Sequence, residues 1–262
     1  MDRIVLAFSG SAPSSVAIPW LREHRGVEVV TVTVDLGQAE SLDGIRVRAI
    51  GSGAARAHVL DRRDVFARHH LLPAVHAGAA DIDSDLALSQ LAQPLIAHAL
   101  VEIAQIEGTR VVAHAALSPE DRDGIAAAVK AIDADIDVID VTNEWTLTPA
   151  AMADYARERG IPFLTPTVAA DALSRTAAAA APLHVTIEFR AGVPVNINGV
   201  EMDLVELLTS LDTIATEQRL AGSTVLGVAY RALQARVGGA AVTGTERVSV
   251  QNGACEVVNH VQ

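Results

Sequence analysis

RIVLAFSGSAPSSVAIPW, residues 3–20, sets the frame in which the remaining sequence is read. The apolar run 3–8 has the composition of a buried strand, Ser9-Gly10-Ser11 that of a turn, and 14–24 that of a helix. A strand that turns directly into a helix leaves the unpaired amides and the positive end of the helix dipole facing outward. That is an anion site by geometry alone. Ser9, Ser11, Ser14 and Ser15 add four hydroxyls, and Gly10 lets the backbone approach closely. Two readings stay open on spacing: Ser14 or Ser15 caps the helix, or the turn grips a phosphate. Pro13 stands where such a loop usually carries an acidic or amide residue, and it removes an N–H donor.

Working outward, VEVVTVTVD (27–35) is β-branched and reads as a second strand, followed by a helix near 40–50 and a short strand near 56–60. Leu91, Leu95, Ile96, Leu100 and Ile103 fall at helical spacing over 86–107, with Pro94 starting or kinking that helix. Strand 111–114, helix 119–132, strand 136–141 and helix 148–159 complete the alternation. Strands and helices at these intervals predict a doubly wound parallel sheet covered on both faces. Such sheets bind ligands beyond the carboxyl ends of their strands. The segments 9–15, 35–38 and 114–121 each follow a strand and so line one crevice. After about residue 165 the pattern changes. Residues 183–199 give two strands with turns at Ala191-Gly192 and Asn198-Gly199. Leu204, Leu207, Leu208, Leu211 and Ile214 mark a helix, a second is expected over 223–235, and Asn252-Gly253 turns a closing hairpin. The expected organisation is an α/β domain over 1–165 and a smaller α+β domain over 166–262.

Half of the 262 residues are apolar and only 3% aromatic, so the core is expected from Ala, Val, Leu and Ile. The net charge is −12, and the 20 cations are 19 arginines and Lys130. No basic face for nucleic acid is visible, and the Gly-Lys-Ser/Thr phosphate loop is absent. No apolar run reaches the ~18 residues of a membrane helix, and the amino terminus lacks a signal-peptide pattern. Cys255, the only cysteine, excludes an internal disulfide. These features predict a cytoplasmic protein with a small-molecule substrate and no nucleic-acid or membrane partner. His69, His70 and His76 are poorly spaced for a metal; Glu120, Asp121 and Asp123 have oxygen ligands for Mg2+, but the acidic first turn of a helix explains them at least as well, so no resident metal is expected.

Motifs in series carry a resemblance. Residues 7–17, AFSGSAPSSVA, stand against Ala-Tyr-Ser-Gly-Gly-Leu-Asp-Thr-Ser-Val-Ala of the argininosuccinate synthase family, N-type ATP pyrophosphatases. Asp35-Leu36-Gly37-Gln38 matches its Asp-Leu-Gly-Gln. AQPLIA (92–97) resembles its Ala-Arg-Pro-Leu-Ile-Ala, VAH (112–114) its strand end, and EWTLTPAAMADYARERGIP (144–162) its Glu-Trp and Gly-Ile-Pro segment. Residues 185–215, STVLGVAYRAL (223–233) and 242–258 follow later parts of that family in order. The resemblance implies an adenine nucleotide alpha hydrolase-like fold and a C–N-forming ligase. It would use ATP with Mg2+, activate a ureido or carboxyl-type oxygen, release pyrophosphate and join an amine. It further implies a homo-oligomer and a shortened carboxyl-terminal region.

On matched positions, Ser9, Gly10, Ser11, Ser14, Ser15 and Gln38 would hold the nucleotide, with Asp35 and His114 as catalytic groups. Ser89, Gln93, Thr167, Arg175 and Thr176 would hold substrate. His114 at its strand end either orients a ligand or carries a proton, or is a packed core histidine. The departures are as specific. Ser11 and Pro13 replace a glycine and an aspartate, and 115–122, AALSPEDR, replaces Gly-x-Thr-Gly-Lys-Gly-Asn-Asp. Ile125 stands for an arginine, and Gln93 for another, keeping hydrogen bonding without charge. Two alternatives follow: the same scaffold acting without ATP on another small anionic or nucleoside-like ligand, or a non-catalytic binding partner.

Overall fold

The computed structural model describes residues 2–37, 42–78, 85–145, 147–163, 181–239 and 241–258. In chain order the first elements are β1 (Arg3–Ala7), α1 (Ala12–Arg25), β2 (Glu28–Asp35), α2 (Leu42–Gly51) and β3 (Arg56–Asp61). Then come α3 (Arg63–Phe66), a π-helical turn (Ala67–Leu71), α4 (Leu72–His76) and α5 (Asp85–Glu107). β4 (Val111–His114), α6 (Pro119–Ile132), β5 (Asp137–Asp140), α7 (Val141–Glu144) and α8 (Pro149–Arg159) follow. The last are β6 (Leu183–Arg190), β7 (Val193–Ile197), β8 (Val200–Glu201), α9 (Leu204–Glu217), α10 (Gly222–Val237), β9 (Gly244–Gln251) and β10 (Ala254–Val257). Two units emerge: Met1–Arg62 with Ser89–Val168, and Arg63–Leu88 with Ala169–Gln262. The excursion Arg63–Leu88 into the second unit is not announced by the order of the chain.

The first unit is a parallel sheet in the order β3-β2-β1-β4-β5. The chain steps outward from β1 to β3, then crosses back to β4 and β5, so the direction reverses between β1 and β4. Ile4 and Leu6 of β1 pack with Val16, Ile18 and Leu21 of α1, Ile45 of α2 and Met152 of α8 in one core. Val5 alternates to the opposite face, as the strand pleat requires. That second face is covered by α5 and α6, whose buried residues, Leu100, Ile103, Ile125 and Val129 among them, are not members of the α1-side core. Coverage of both faces is why every residue of β2 from Val29 to Asp35 is buried. Pro94, expected to start or kink α5, sits inside one continuous helix.

The second unit is an antiparallel sheet in the order β10-β9-β6-β7-β8. Val185, Ile187 and Phe189 of β6 point to one face and are buried, as are Val248 and Val250 of β9, together with Leu207 and Leu211 of α9 and Tyr230 and Leu233 of α10. The turns expected at 191–192, 198–199 and 252–253 are present, with Ala191, Asn198 and Asn252 at positive φ. A side chain on Gly222 would bring its Cβ to 2.7 Å from the Asp212 amide, so glycine is what permits α9 and α10 to approach there. His76 lies 2.9 Å through Nε2 from the Gly192 carbonyl and stacks on Tyr230 at 4.4 Å.

Candidate functional site

The turn before α1 is shorter, and the helix longer, than the sequence implied. The helix begins at Ala12, with Pro13 at its second position, where an amide has no intrahelical acceptor in any case. Gly10 turns the chain at φ 78°, a conformation costly to any residue with a Cβ. Ser11 occupies the cap position, but its side chain accepts no bond from the helix amides. Neither Ser14 nor Ser15 caps the helix, contrary to the simpler of the two readings. Ser14 Oγ donates back to the Ser11 carbonyl at 3.1 Å, and Ser15 Oγ reaches the Gly10 carbonyl at 3.5 Å. Ser9, Ser11 and Ser14 instead form a triangle of hydroxyls: Ser9 Oγ is 2.9 Å from Ser11 Oγ and 3.3 Å from Ser14 Oγ, and Ser11 Oγ is 3.3 Å from Ser14 Oγ. Ser9 is exposed and Ser11 half-buried, whereas Ser15 is enclosed. The reachable donors are therefore the first two hydroxyls, backed by the third.

Asp35 closes β2 and is buried, with Oδ1 accepting from the Gly37 amide at 2.9 Å. Its carboxylate shapes the turn that leads to Gln38, a residue outside the described ones. Thr33 Oγ1 donates to the Phe8 carbonyl at 2.8 Å, and the Phe8 amide to the Val32 carbonyl at 2.9 Å, so β1 and β2 stay zipped up to the serine turn.

His114 ends β4 on the other side of the reversal point and is 1% exposed. Ala113 belongs to the α1-side core, so His114 points to the α6 side, as does its register partner Asp140. Asp140 Oδ1 is taken by the Thr142 hydroxyl at 2.7 Å and the Asn143 amide at 3.1 Å, and Oδ2 faces Arg122 Nε at 3.8 Å. Thr142 Oγ1 also lies 2.9 Å from the Ala116 carbonyl, pinning the loop after β4. Among the described residues neither ring nitrogen of His114 has a hydrogen-bond partner. Burial holds the imidazole below its ordinary value, against the pull of Asp140 and with the push of Arg122, so the ring is neutral at pH 7. An unmade hydrogen bond on a buried group costs about 1–3 kcal/mol.

Ser89 and Gln93, from α5, come together on one carboxylate. Ser89 Oγ donates to Asp121 Oδ1 at 2.6 Å, and Gln93 Nε2 to the same oxygen at 3.0 Å. Asp121 sits in the first turn of α6, where its amide donates to the capping Ser118 hydroxyl at 3.0 Å. Burial would raise this carboxyl, but the bonds from Ser89, Ser118 and Gln93 outweigh it and hold it below the ordinary aspartate value. Gly124, one turn on, leaves the space the Gln93 amide fills; a Cβ there would collide with it. Thr167, Arg175 and Thr176 lie outside the described residues.

The opposite edge of the sheet is built differently. Glu107, its side chain 1% exposed, takes Arg56 Nη1 at 2.9 and 2.7 Å, His58 Nε2 at 3.2 Å and Arg3 Nη1 at 3.4 Å. Burial would raise its carboxyl, but the hydrogen bonds of Arg56 and His58 and the charges of Arg56 and Arg3 lower it overall. Two surface hollows, of about 530 and 360 Å3, are lined by Arg25, Lys130 and Asp137 among others, and by Pro19, Arg22 and Glu23 among others. Neither is lined by the serine turn or His114. Among the described residues no three His, Cys, Asp or Glu side chains gather to hold a metal ion, and no helix is long and apolar enough to cross a membrane. Sequence reading did not single out Asp140 or Glu107, and it weighed Asp121 as first-turn acid or Mg2+ ligand, not as the partner of Ser89 and Gln93. Their importance lies in partners distant in the chain, which no local spacing signals.

Comparison with known proteins agrees with the motif series. A family model described as arginosuccinate synthase N-terminal HUP domain matches residues 3–162. Argininosuccinate synthase of Pelotomaculum thermopropionicum is 36% identical over 249 residues, covering 83% of this chain and 62% of that protein. The namesake protein of Carboxydothermus hydrogenoformans is 33% identical, covering 87% and 67%, and that of Moorella thermoacetica 32%, covering 87% and 66%. The chain spans roughly three fifths to two thirds of the length of the curated relatives it matches.

Proposed function

We propose that this chain, which belongs to the argininosuccinate synthase family, is an ATP-dependent ligase acting on a small substrate. A ureido or carboxyl-type oxygen attacks the α-phosphorus of ATP, and the bond to the β-phosphate breaks to release pyrophosphate. An amine then attacks the activated carbon, AMP leaves with the former substrate oxygen, and the amine gives up a proton. The observation that carries this reading is the serine-lined turn at the head of α1, placed by Gly10 beside the point where the sheet reverses direction. Hydroxyls of Ser9 and Ser11, with first-turn amides behind them, suit the β- and γ-phosphates. Ser14 and Ser15 hold the turn in shape through the carbonyls of Ser11 and Gly10.

Asp121, fixed and ionised by Ser89 and Gln93, suits an N–H-bearing group of the amine or ureido partner. Asp35 ends β2 beside this turn with its carboxylate already engaged, Oδ1 accepting from the Gly37 amide, so it does not by itself provide a seat for Mg2+. The ion would therefore arrive on the polyphosphate with most of its water, as Mg2+ usually does. The missing amide at Pro13 favours a second reading, in which the same crevice holds a less highly charged ligand and ATP is not cleaved.

Calorimetric titration with Mg-ATP and with tripolyphosphate, followed by a pyrophosphate-release assay over amine and ureido or carboxylate pairs, separates them. The ligase reading expects ATP binding and release of pyrophosphate only when a suitable pair is present. Binding of AMP or a nucleoside with no pyrophosphate from any pair supports the second reading. No binding of ATP or tripolyphosphate overturns the first.

A further inference from the structure

The join of Ser89, Gln93 and Asp121 uses an ionised group where a neutral one would serve. A tie between α5 and α6 needs only an acceptor for the Ser89 hydroxyl and the Gln93 amide, and an asparagine oxygen at position 121 would supply it. What a carboxylate adds is a full negative charge, which costs solvation when the residue is half-buried. That charge is not balanced by its surroundings. The bonds that hold Asp121 below its ordinary value come from Ser89, Ser118 and Gln93, all neutral, and no cation among the described residues pairs with it. Arg122, the next residue, is turned to Asp140 at 3.8 Å. Glu120 and Asp123, on either side, are acidic and exposed. The amino-terminal end of α6 contributes only about half a positive charge, shared with Glu120. The carboxylate is also held in one direction. Both bonds from α5 end on Oδ1, at 2.6 and 3.0 Å, so Oδ2 is not tied to that helix.

We infer that Asp121 seats a positively charged nitrogen of the small substrate, an ammonium or guanidinium group, and that this wall turns carboxylates away. The inference deepens the ligase reading and rests on it in one respect: the cationic group belongs to the amine partner. That partner then carries a second basic nitrogen and no carboxylate at the matching end. It is a diamine or an aminoalkyl guanidine rather than an amino acid. The seated nitrogen supplies the counter-charge and N–H donors that a fixed carboxylate takes best, and the other amine, unprotonated, stays free to attack. A carboxylate in the same place meets like charge from Asp121, Glu120 and Asp123. The amide of Gln93, which could have donated to it, is already spent on Asp121.

The test titrates the full chain by calorimetry with 1,4-diaminobutane and 4-aminobutylguanidine, and with 4-aminobutanoate, in which a carboxylate replaces the second cation. Each titration is repeated with Mg-ATP present. Asp121→Asn keeps an acceptor for Ser89 and Gln93 and removes only the charge. The wild type should bind both dications about tenfold or more tighter than 4-aminobutanoate, and Asp121→Asn should lose that margin with its melting temperature unchanged. Gln93→Arg, which sets a guanidinium against Asp121, should reverse the order. Dication affinity should fall as salt rises from about 0.05 to about 0.3 M. If Asp121→Asn melts lower than the wild type, Gln93→Arg, which leaves Asp121 in place, decides alone. Failure of both dications to bind at millimolar concentration, or equal affinity for 4-aminobutanoate, overturns the inference. Dication binding indifferent to Asp121→Asn also overturns it and leaves the carboxylate a tie between helices only. Binding that depends on Asp121, with no pyrophosphate released from any pair, supports the cation seat while the ligase reading fails. Pyrophosphate released with amino acids, undiminished in Asp121→Asn, keeps the ligase reading and overturns this inference.

Discussion

The two edges of the parallel sheet use polar residues in opposite ways. At the amino-terminal edge Glu107 is wrapped by Arg3, Arg56 and His58, and Arg3 also meets Glu28 at 3.2 Å. Each group there has a partner within the protein. At the carboxyl-terminal edge the hydroxyls of Ser9, Ser11 and Ser14 partner one another, and His114 has no hydrogen-bond partner among the described residues. Both edges belong to one sheet and one set of helices, so the difference is not one of packing quality. One edge pairs its charges within the protein; the other leaves a buried imidazole unmet. This asymmetry is expected of an open α/β sheet, whose ligands sit beyond the carboxyl ends of the strands.

The contrast can be broken most forcefully at Glu107. Replacing it with alanine would leave two arginines and a histidine facing one another. We expect a loss of about 2 kcal/mol in urea unfolding, below the roughly 3–5 kcal/mol of a fully enclosed pair because Arg56 is half exposed. Nucleotide affinity should not change. The same carboxyl sits below its ordinary value in the fold, so its stabilising effect is full above the unfolded value and is lost as pH falls toward the folded one. A Glu107→Ala chain as stable as the parent would remove the amino-terminal edge from the comparison. Gly10→Ala comes next, with about 1–2 kcal/mol of strain at a positive φ and loss of tripolyphosphate binding by calorimetry.

Ser9→Ala with Ser11→Ala should lower tripolyphosphate affinity about tenfold while shifting stability by less than about 0.5 kcal/mol. A large stability loss instead would make these hydroxyls part of the fold. His114→Phe should leave stability unchanged or raise it by up to about 1 kcal/mol, since apolar replacement relieves an unmet polar group. Because burial lowers the imidazole in the fold, the wild type should lose stability as pH falls below about 6.5, and the variant should lose less. The smallest effect is expected at Pro13→Ala: tripolyphosphate affinity up about twofold through the restored amide, and stability down about 0.5 kcal/mol through a looser unfolded chain.

Much of this was legible in the sequence. β-branched runs and turn residues placed β2 and β4 within a residue or two and located the β6–β7 and β9–β10 hairpins, while the short β8 was not anticipated. The serine turn announced itself because its chemistry is contiguous. What stayed hidden depends on distance. Ser89 and Asp121 are 32 positions apart, and Arg56 and Glu107 are 51 apart. A glutamate ending a helix carries no periodic signal of the cations that will surround it. His114 was singled out for its place at a strand end. That its nitrogens are unmet follows from Asp140 being claimed by Thr142 and Asn143, and no spacing rule contains that. The helix start was misjudged because Pro13 reads as a loop residue, although proline is at home in a first helical turn.

The bare backbone of Gly124 works as clearance for a bolt. Through it the Gln93 amide slides over α6 and locks, with Ser89, onto Asp121. A single methyl added at that position would draw the bolt, swing the glutamine out and leave the carboxylate to Ser89 and Ser118. The hold on this carboxylate can therefore be loosened from a residue that has no side chain of its own.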